Sequence, residues 1–238
     1  LYEDKIIPKY FYCGDFNGDG NNELLIVTSS NFLGKNVESR AIILDLESDK
    51  ILYDGKPFYY KVNMIGDNCS AQDAFNTSDK LYTIDYNNDG KTEVVIVKDD
   101  GTYFYSFSDR NNKWVCNYKG IDTQLTSAIV KDRRVLNGDF NGDGKIDILV
   151  SPAKGTETNW NIYAGTGTTS FSLKTIALTN FNDDDTEFYT QDVNQDGQTD
   201  LLKKYNSTLY TYFISDFKKM DIQSVVVEEK CHVIPSNV

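Results

Sequence analysis

Short apolar runs bounded by Gly, Asn, Asp and Ser recur along the whole chain. Four of them, Leu24-Leu25-Ile26-Val27, Val94-Val95-Ile96-Val97, Ile148-Leu149-Val150 and Leu201-Leu202, read as short buried strands. Upstream of each stands a pair of adjacent apolar residues: Phe11-Tyr12, Leu81-Tyr82, Val135-Leu136 and Phe188-Tyr189. Adjacency without alternation predicts a preceding strand buried on both faces. Downstream, two more strands are predicted in each repeat: 41–46 and 57–62, 102–108 and 113–118, 160–164 and 170–177, 209–215 and 220–227. Each repeat is thus expected to be four antiparallel strands joined by polar turns. No stretch carries a sustained helical period, so no helix is predicted.

Between the first and second predicted strands of every repeat lies the same polar segment. Its copies are Asp15-Phe-Asn17-Gly-Asp19-Gly-Asn21-Asn-Glu23, Asp85-Tyr-Asn87-Asn-Asp89-Gly-Lys91-Thr-Glu93, Asp139-Phe-Asn141-Gly-Asp143-Gly-Lys145-Ile-Asp147 and Asp192-Val-Asn194-Gln-Asp196-Gly-Gln198-Thr-Asp200. The copies start 70, 54 and 53 residues apart. A period in the fifties with strand-like content predicts an all-β chain, a β-propeller built of four-stranded blades. The blades are expected near 9–62, 80–119, 132–178 and 186–228, in a single domain over 1–238 with an insertion at 63–79. Four blades are compatible with a small closed propeller or an arc of a larger one.

The segment also carries the candidate chemistry. Positions 1, 3, 5 and 9 bear oxygen side chains, and position 6 is Gly in every copy. Hard oxygen donors at alternate positions on a tight loop are what Ca²⁺ requires. The expected ligands are Asp15, Asn17, Asp19 and Glu23; Asp85, Asn87, Asp89 and Glu93; Asp139, Asn141, Asp143 and Asp147; and Asp192, Asn194, Asp196 and Asp200. Position 7 is Asn21, Lys91, Lys145 or Gln198; a Lys side chain cannot ligate Ca²⁺, so this position would offer its backbone carbonyl. Up to four Ca²⁺ ions are expected. A metal-free Asx turn explains one copy, but not four in the same setting, because clustered carboxylates repel without a cation. Glu at position 9 is longer than Asp by a methylene, so loops one and two are expected to bind more weakly or with shifted geometry. Position 2 is apolar (Phe16, Tyr86, Phe140, Val193) and is expected to plug into the core.

Net charge is −12, and the loops account for it: they hold twelve of the 36 acidic residues, and the remaining acids balance 24 Lys and Arg. Nucleic-acid binding is not expected, for want of a basic patch. No apolar run suits membrane insertion. Beginning at Leu1, the chain reads as a processed or excised piece of something larger, with flanking domains among its partners. Of Cys13, Cys69, Cys116 and Cys231, Cys13 aligns with Thr83, Asn137 and Thr190, which suggests a small buried or channel-facing free thiol. Catalytic signals are sparse. The single histidine, His232, lies in the tail; Gly165-Thr-Gly167 has no following helix; and Asn182 to Asp185 reads as a solvated turn. Lys131, Arg133 and Arg134 are the residues to check for a base.

Position 12 holds Ile26, Ile96, Val150 or Lys203 rather than an acid, which excludes EF-hands and dockerin modules. The motif resembles the FG-GAP/VCBS repeat, the calcium-loop blade of integrin-type β-propellers. That resemblance implies a loop between the first and second strands of each blade, with the four side-chain positions as ligands. Gly138 to Val150, followed by Trp160-Asn-Ile-Tyr-Ala-Gly-Thr-Gly167, is also similar to the propeller region of bacterial RHS/YD-repeat and toxin-complex proteins. The implied function is a non-enzymatic, calcium-stabilised extracellular module, secreted or on the cell surface, that docks or recognises a protein or glycan partner. A propeller domain of a polysaccharide-acting enzyme such as a lyase is the alternative.

Overall fold

The computed structural model describes residues 8–28, 31–32, 35–36, 41–55, 80–99, 101–108, 110, 113–116, 123–153, 159–176, 178 and 186–226. The insertion at 63–79, the strand expected at 57–62, the acidic turn at 182–185 and the tail with His232 lie outside them.

Repeat one contributes β1 (Pro8–Gly14), β2 (Glu23–Thr28), β5 (Ala41–Asp45) and β6 (Lys50–Gly55), with a small hairpin of β3 (Asn31–Phe32) and β4 (Lys35–Asn36) between β2 and β5. Repeat two contributes β7 (Lys80–Ile84), β8 (Glu93–Val97), β9 (Thr102–Ser108) and β10 (Lys113–Cys116). Repeat three has β11 (Val135–Gly138), β12 (Asp147–Val150), β13 (Trp160–Gly165) and β14 (Phe171–Ile176). Repeat four has β15 (Thr186–Gln191), β16 (Asp200–Tyr205), β17 (Thr208–Ser215) and β18 (Lys218–Val226). Each set forms one four-stranded sheet in sequential order, antiparallel throughout. The chain is all-β, a β-propeller with four-stranded blades, as the repeat pattern predicts.

Three details differ from expectation. The fourth strand of repeat one is β6, reached by a tight turn in which Asp45 Oδ1 accepts Glu47 N–H and Ser48 N–H and Asp49 takes φ 54°. A short helix, α1 (Thr123–Ala128), follows repeat two and buries Leu125 and Ala128. Six residues are too few to display a helical period, which is why the sequence pattern misses it. The first strands are only half-buried, and Phe11 is 58% exposed. Among the described residues, burial along a whole strand is found in the second strands β8 and β12.

The chain divides into two compact units, one formed by 1–85 with 89–121 and the other by 86–88 with 122–238. Each has its own core. In the first, Phe16, Leu25, Val27 and Ile43 of repeat one pack with Leu81, Val94, Ile96, Phe107 and Trp114 of repeat two. Trp114 makes edge contacts with Phe16 (6.1 Å), Phe107 (5.5 Å) and Tyr53 (6.4 Å). Such aromatic pairs add roughly 0.5–1.5 kcal/mol each beyond the burial itself. In the second unit, Phe140, Leu149, Trp160 and Ile162 of repeat three meet Leu201, Tyr212 and Ile214 of repeat four.

Candidate metal centre

Each acidic segment joins the first strand of its repeat to the second and turns by two left-handed residues. Position 4 (Gly18, Asn88, Gly142, Gln195) has φ of 81°, 56°, 75° and 62°; position 6 (Gly20, Gly90, Gly144, Gly197) has 91°, 86°, 78° and 83°. At position 4 Asn88 and Gln195 sit in the left-handed well that L-residues enter, whereas the φ of 78–91° at position 6 lies beyond it and favours Gly.

The position-1 carboxylate organises the turn. Asp15 Oδ1 accepts Gly18 N–H (2.5 Å) and Asp19 N–H (3.2 Å), and its Oδ2 accepts Gly20 N–H (2.8 Å). Asp139 repeats this with Gly142, Asp143 and Gly144. Asp85 and Asp192 hold the amides of positions 5 and 6 of their own loops. The position-5 carboxylate accepts the position-7 amide at 2.8–2.9 Å in all four loops. In loops one, three and four the Asn carbonyl at position 3 accepts the position-5 amide.

Position 9 is buried in every copy: Glu23, Glu93, Asp147 and Asp200. Asp147 bridges the loop to the sheet, accepting Phe140 N–H (2.9 Å) at one oxygen and Gly165 N–H (2.9 Å) at the other. Asp200 does the same with Val193 and Ile214. Glu23 instead keeps both oxygens on its own loop, Oε2 on Phe16 N–H (2.8 Å) and Oε1 on Asn17 Nδ2 (3.1 Å). Glu93 Oε1 accepts the Ser106 hydroxyl of β9 at 3.3 Å.

Among the described residues, one group of three carboxylates converges: an oxygen from each of Asp15, Asp19 and Glu23 lies within 4.8 Å of the others. In loop three, Lys145 Nζ sits 3.2 Å from Asp143 Oδ2 instead. Burial, helped by neighbouring carboxylates and opposed by the backbone amides, raises the pKa values of Glu23 and Asp200 above the usual carboxylate range and pushes that of Asp147 up to about 6. Burial acts upward on Asp143 too, but hydrogen bonds from Lys145 and Asn141 outweigh it and hold that carboxyl low. A cluster this acidic, buried at position 9 and supplying only oxygen donors, fits a hard divalent cation.

Two sequence readings change here. The position-2 side chain is buried as Phe16, Tyr86 and Phe140, but Val193 is 43% exposed. The first plug packs on Trp114 of the following repeat, and Phe140 shares a core with Leu201, Tyr212 and Ile214 of the following repeat. Cys13 is a free thiol, as expected, but an exposed one rather than a buried one, since it alternates with the half-buried Tyr12 on an edge strand. The Arg134 guanidinium donates to the Thr186 carbonyl and lies 5.0 Å over the Phe188 ring, tying repeat three to repeat four.

The ligand motif also conceals a second set of residues, at positions 7 and 8. Thr92 N–H donates to the Asp15 carbonyl, and Thr199 N–H to the Asp139 carbonyl, both at 2.6 Å. The signal was present in the sequence as a correlation between repeats: Gly14 and Gly138 precede the loops that Thr92 and Thr199 meet. A Cβ at Gly14 would stand 2.7 Å from the Thr92 side chain, and one at Gly138 would stand closer still to Thr199.

A β-propeller with an acidic turn between the first two strands of each blade is the class defined by these features. Residues 139–202 match the FG-GAP-like repeat model. No curated protein matches the chain in sequence. Among solved structures, an Agrocybe aegerita lectin recognising non-reducing terminal N-acetylglucosamine is similar at a TM-score of 0.55 and 15% identity; the match covers 92% of this chain and 53% of the lectin chain. The Photorhabdus luminescens Tc holotoxin pore matches at 0.48 and 15%, over 91% of this chain and 9% of that one. Bacillus licheniformis rhamnogalacturonan lyase matches at 0.42 and 16%, over 89% and 41%. This chain therefore spans about half of the lectin chain and less of the other two, and at such identity the lectin match speaks to fold alone. Among the described residues no helix is long and apolar enough to cross a membrane.

Proposed function

We propose that this chain is a calcium-stabilised β-propeller module, secreted or displayed at a cell surface, that presents a recognition surface to a protein or glycan partner and performs no catalysis itself. The observation that carries the calcium reading is the convergence of Asp15, Asp19 and Glu23 within 4.8 Å in a loop whose plan recurs four times. In each loop, the side chains at positions 1, 3, 5 and 9 would hold the ion, with the position-7 carbonyl as a further donor. Bound Ca²⁺ would supply charge neutralisation for the clustered carboxylates. The protein supplies the rest: a turn pre-shaped by the position-1 carboxylate, and a position-9 carboxylate fixed by backbone amides. Loop one, with its carboxylates already gathered, is the tightest site in this reading. Millimolar extracellular Ca²⁺ suits sites with dissociation constants of roughly 10⁻⁴ to 10⁻³ M.

Thermal melting in Ca²⁺ and in EDTA, with ions counted by native mass spectrometry, tests the metal reading. The expected result is a rise in Tm with Ca²⁺ and up to four bound ions; an unchanged Tm with no bound ion overturns it. Glycan-array and surface-protein binding, repeated in chelator, tests recognition. Cleavage of uronic-acid polymers by the purified chain would instead favour the lyase alternative.

A further inference from the structure

Within each unit, the two acidic loops meet through one residue that has no part in the ligand motif. In the second unit, Thr199 occupies position 8 of loop four. Its N–H donates to the Asp139 carbonyl at 2.6 Å, and its hydroxyl accepts the Asp139 N–H at 2.9 Å. Both backbone polar groups of the first ligand of loop three are therefore held by one threonine from the next repeat. The close approach is possible because residue 138 is Gly. Thr199 is in turn fixed by its own loop: its neighbour Gln198 donates its amide to Asp196 Oδ1 at 2.8 Å, and Gln198 Cγ lies 3.0 Å from where a Cβ on Gly142 would stand. A continuous path thus runs from the Asp196 carboxylate through Gln198 and Thr199 to Asp139.

The first unit repeats the path. Asp89 Oδ1 accepts Lys91 N–H (2.9 Å), Thr92 N–H donates to the Asp15 carbonyl (2.6 Å), and the Lys91 stem covers Gly18. Loop three provides an internal contrast. Its position 8 is Ile146, which has no hydroxyl, and its N–H goes to Asn88 Oδ1 rather than to a position-1 carbonyl.

We propose that Thr92 and Thr199 are positioning residues that couple neighbouring cation loops, so that loops one and two, and loops three and four, bind Ca²⁺ as pairs. This rests on the calcium reading above. An ion in loop four orders Asp196, and with it the amide and hydroxyl that orient Asp139; an ion in loop three orders Asp139, and with it Thr199. Coupling of this kind is reciprocal by linkage.

The test is Ca²⁺ titration calorimetry on the whole chain, with bound ions counted. Thr199→Val removes the hydroxyl while keeping the shape, and should weaken one or two sites roughly 3- to 10-fold, the range expected from one hydrogen bond. The ion count should not change, and Thr199→Ser should restore the affinity. Asp196→Asn, which disables loop four, should weaken a second site in the Thr199 protein and none in the Thr199→Val protein. Wild-type titration without bound ions overturns the calcium reading and the coupling together. Ion binding that Thr199→Val leaves unchanged overturns the coupling alone. So does a Thr199→Val protein whose Tm falls equally in Ca²⁺ and in EDTA, because the threonine would then support only the fold.

Discussion

Repeats one and two have Glu at the ninth loop position, and repeats three and four have Asp. The two units otherwise follow one plan: a pair of four-stranded sheets, an aromatic plug at position 2 of the first repeat, and a Gly–Thr contact joining the loops. The methylene redirects a buried carboxylate. Asp147 and Asp200 are short and spend their oxygens on two backbone amides, one in the loop and one in the third strand. Glu23 extends further, keeps its hydrogen bonds inside the loop and brings an oxygen to Asp15 and Asp19. Asp at this position therefore ties the turn to the sheet, whereas Glu in loop one builds the cluster. The weaker binding expected of a Glu loop has a counterweight in this geometry.

The largest expected effect is one the units should share. Phe16→Ala and Phe140→Ala each remove a fully buried plug and should cost about 3–5 kcal/mol in urea denaturation. Val193→Ala, at a half-exposed copy of the same position, should cost no more than about 0.5 kcal/mol. A costly Val193→Ala would show that the last repeat is plugged as the others are.

Next comes the anchoring carboxylate. Asp147→Asn leaves a single acceptor oxygen for the Phe140 and Gly165 amides, and should cost about 1–3 kcal/mol in EDTA. Glu23→Gln keeps an acceptor for Phe16 and should cost less in EDTA, while reducing the Ca²⁺-induced rise in Tm more. Denaturation of both variants with and without Ca²⁺ measures the contrast, and equal profiles would erase it.

Exchanging the residues sharpens the point. Glu23→Asp should draw the carboxylate back from Asp15 and Asp19 and weaken calcium binding at loop one with little loss of stability in EDTA. Tighter binding in this variant would restore the original ranking of Asp above Glu.

The smallest effect is a pH dependence. In the metal-free protein the Asp147 carboxyl is raised, chiefly by burial, to about 6, above its ordinary value of 3.8. Its folded form holds a proton that the unfolded chain has lost between those values, so stability falls as pH rises from about 4 to about 6. Saturating Ca²⁺ should flatten this slope, and Asp147→Asn should remove its share. Urea melts in EDTA across that range provide the check; a rising slope traceable to Asp147 would contradict the assignment.

Much of this was legible in the chain itself. Apolar runs between polar turns located the second strands, because a strand buried on both faces must be continuously apolar, and β8 and β12 are so buried. Oxygen residues at alternate positions around an invariant Gly located the turns, because the left-handed backbone at position 6 admits little else. The partners of position 8 left only a correlation between repeats in the sequence, which did not by itself show a contact. Thr92 and Thr199 look like ordinary polar turn residues until Gly14 and Gly138 are brought beside them, and that proximity belongs to the packing of one repeat on the next. The burial of position 2 depended on the same packing: Phe16 and Phe140 reach the core of the following repeat, whereas Val193 is 43% exposed. The destination of the position-9 carboxylate was hidden as well, because a difference of one methylene is resolved only by where the third strand places its amides. Local chemistry thus wrote the turn, the strand period and the repeat into the sequence. Hydrogen bonds and plugs between repeats join residues far apart in the chain, and tertiary structure alone settled them.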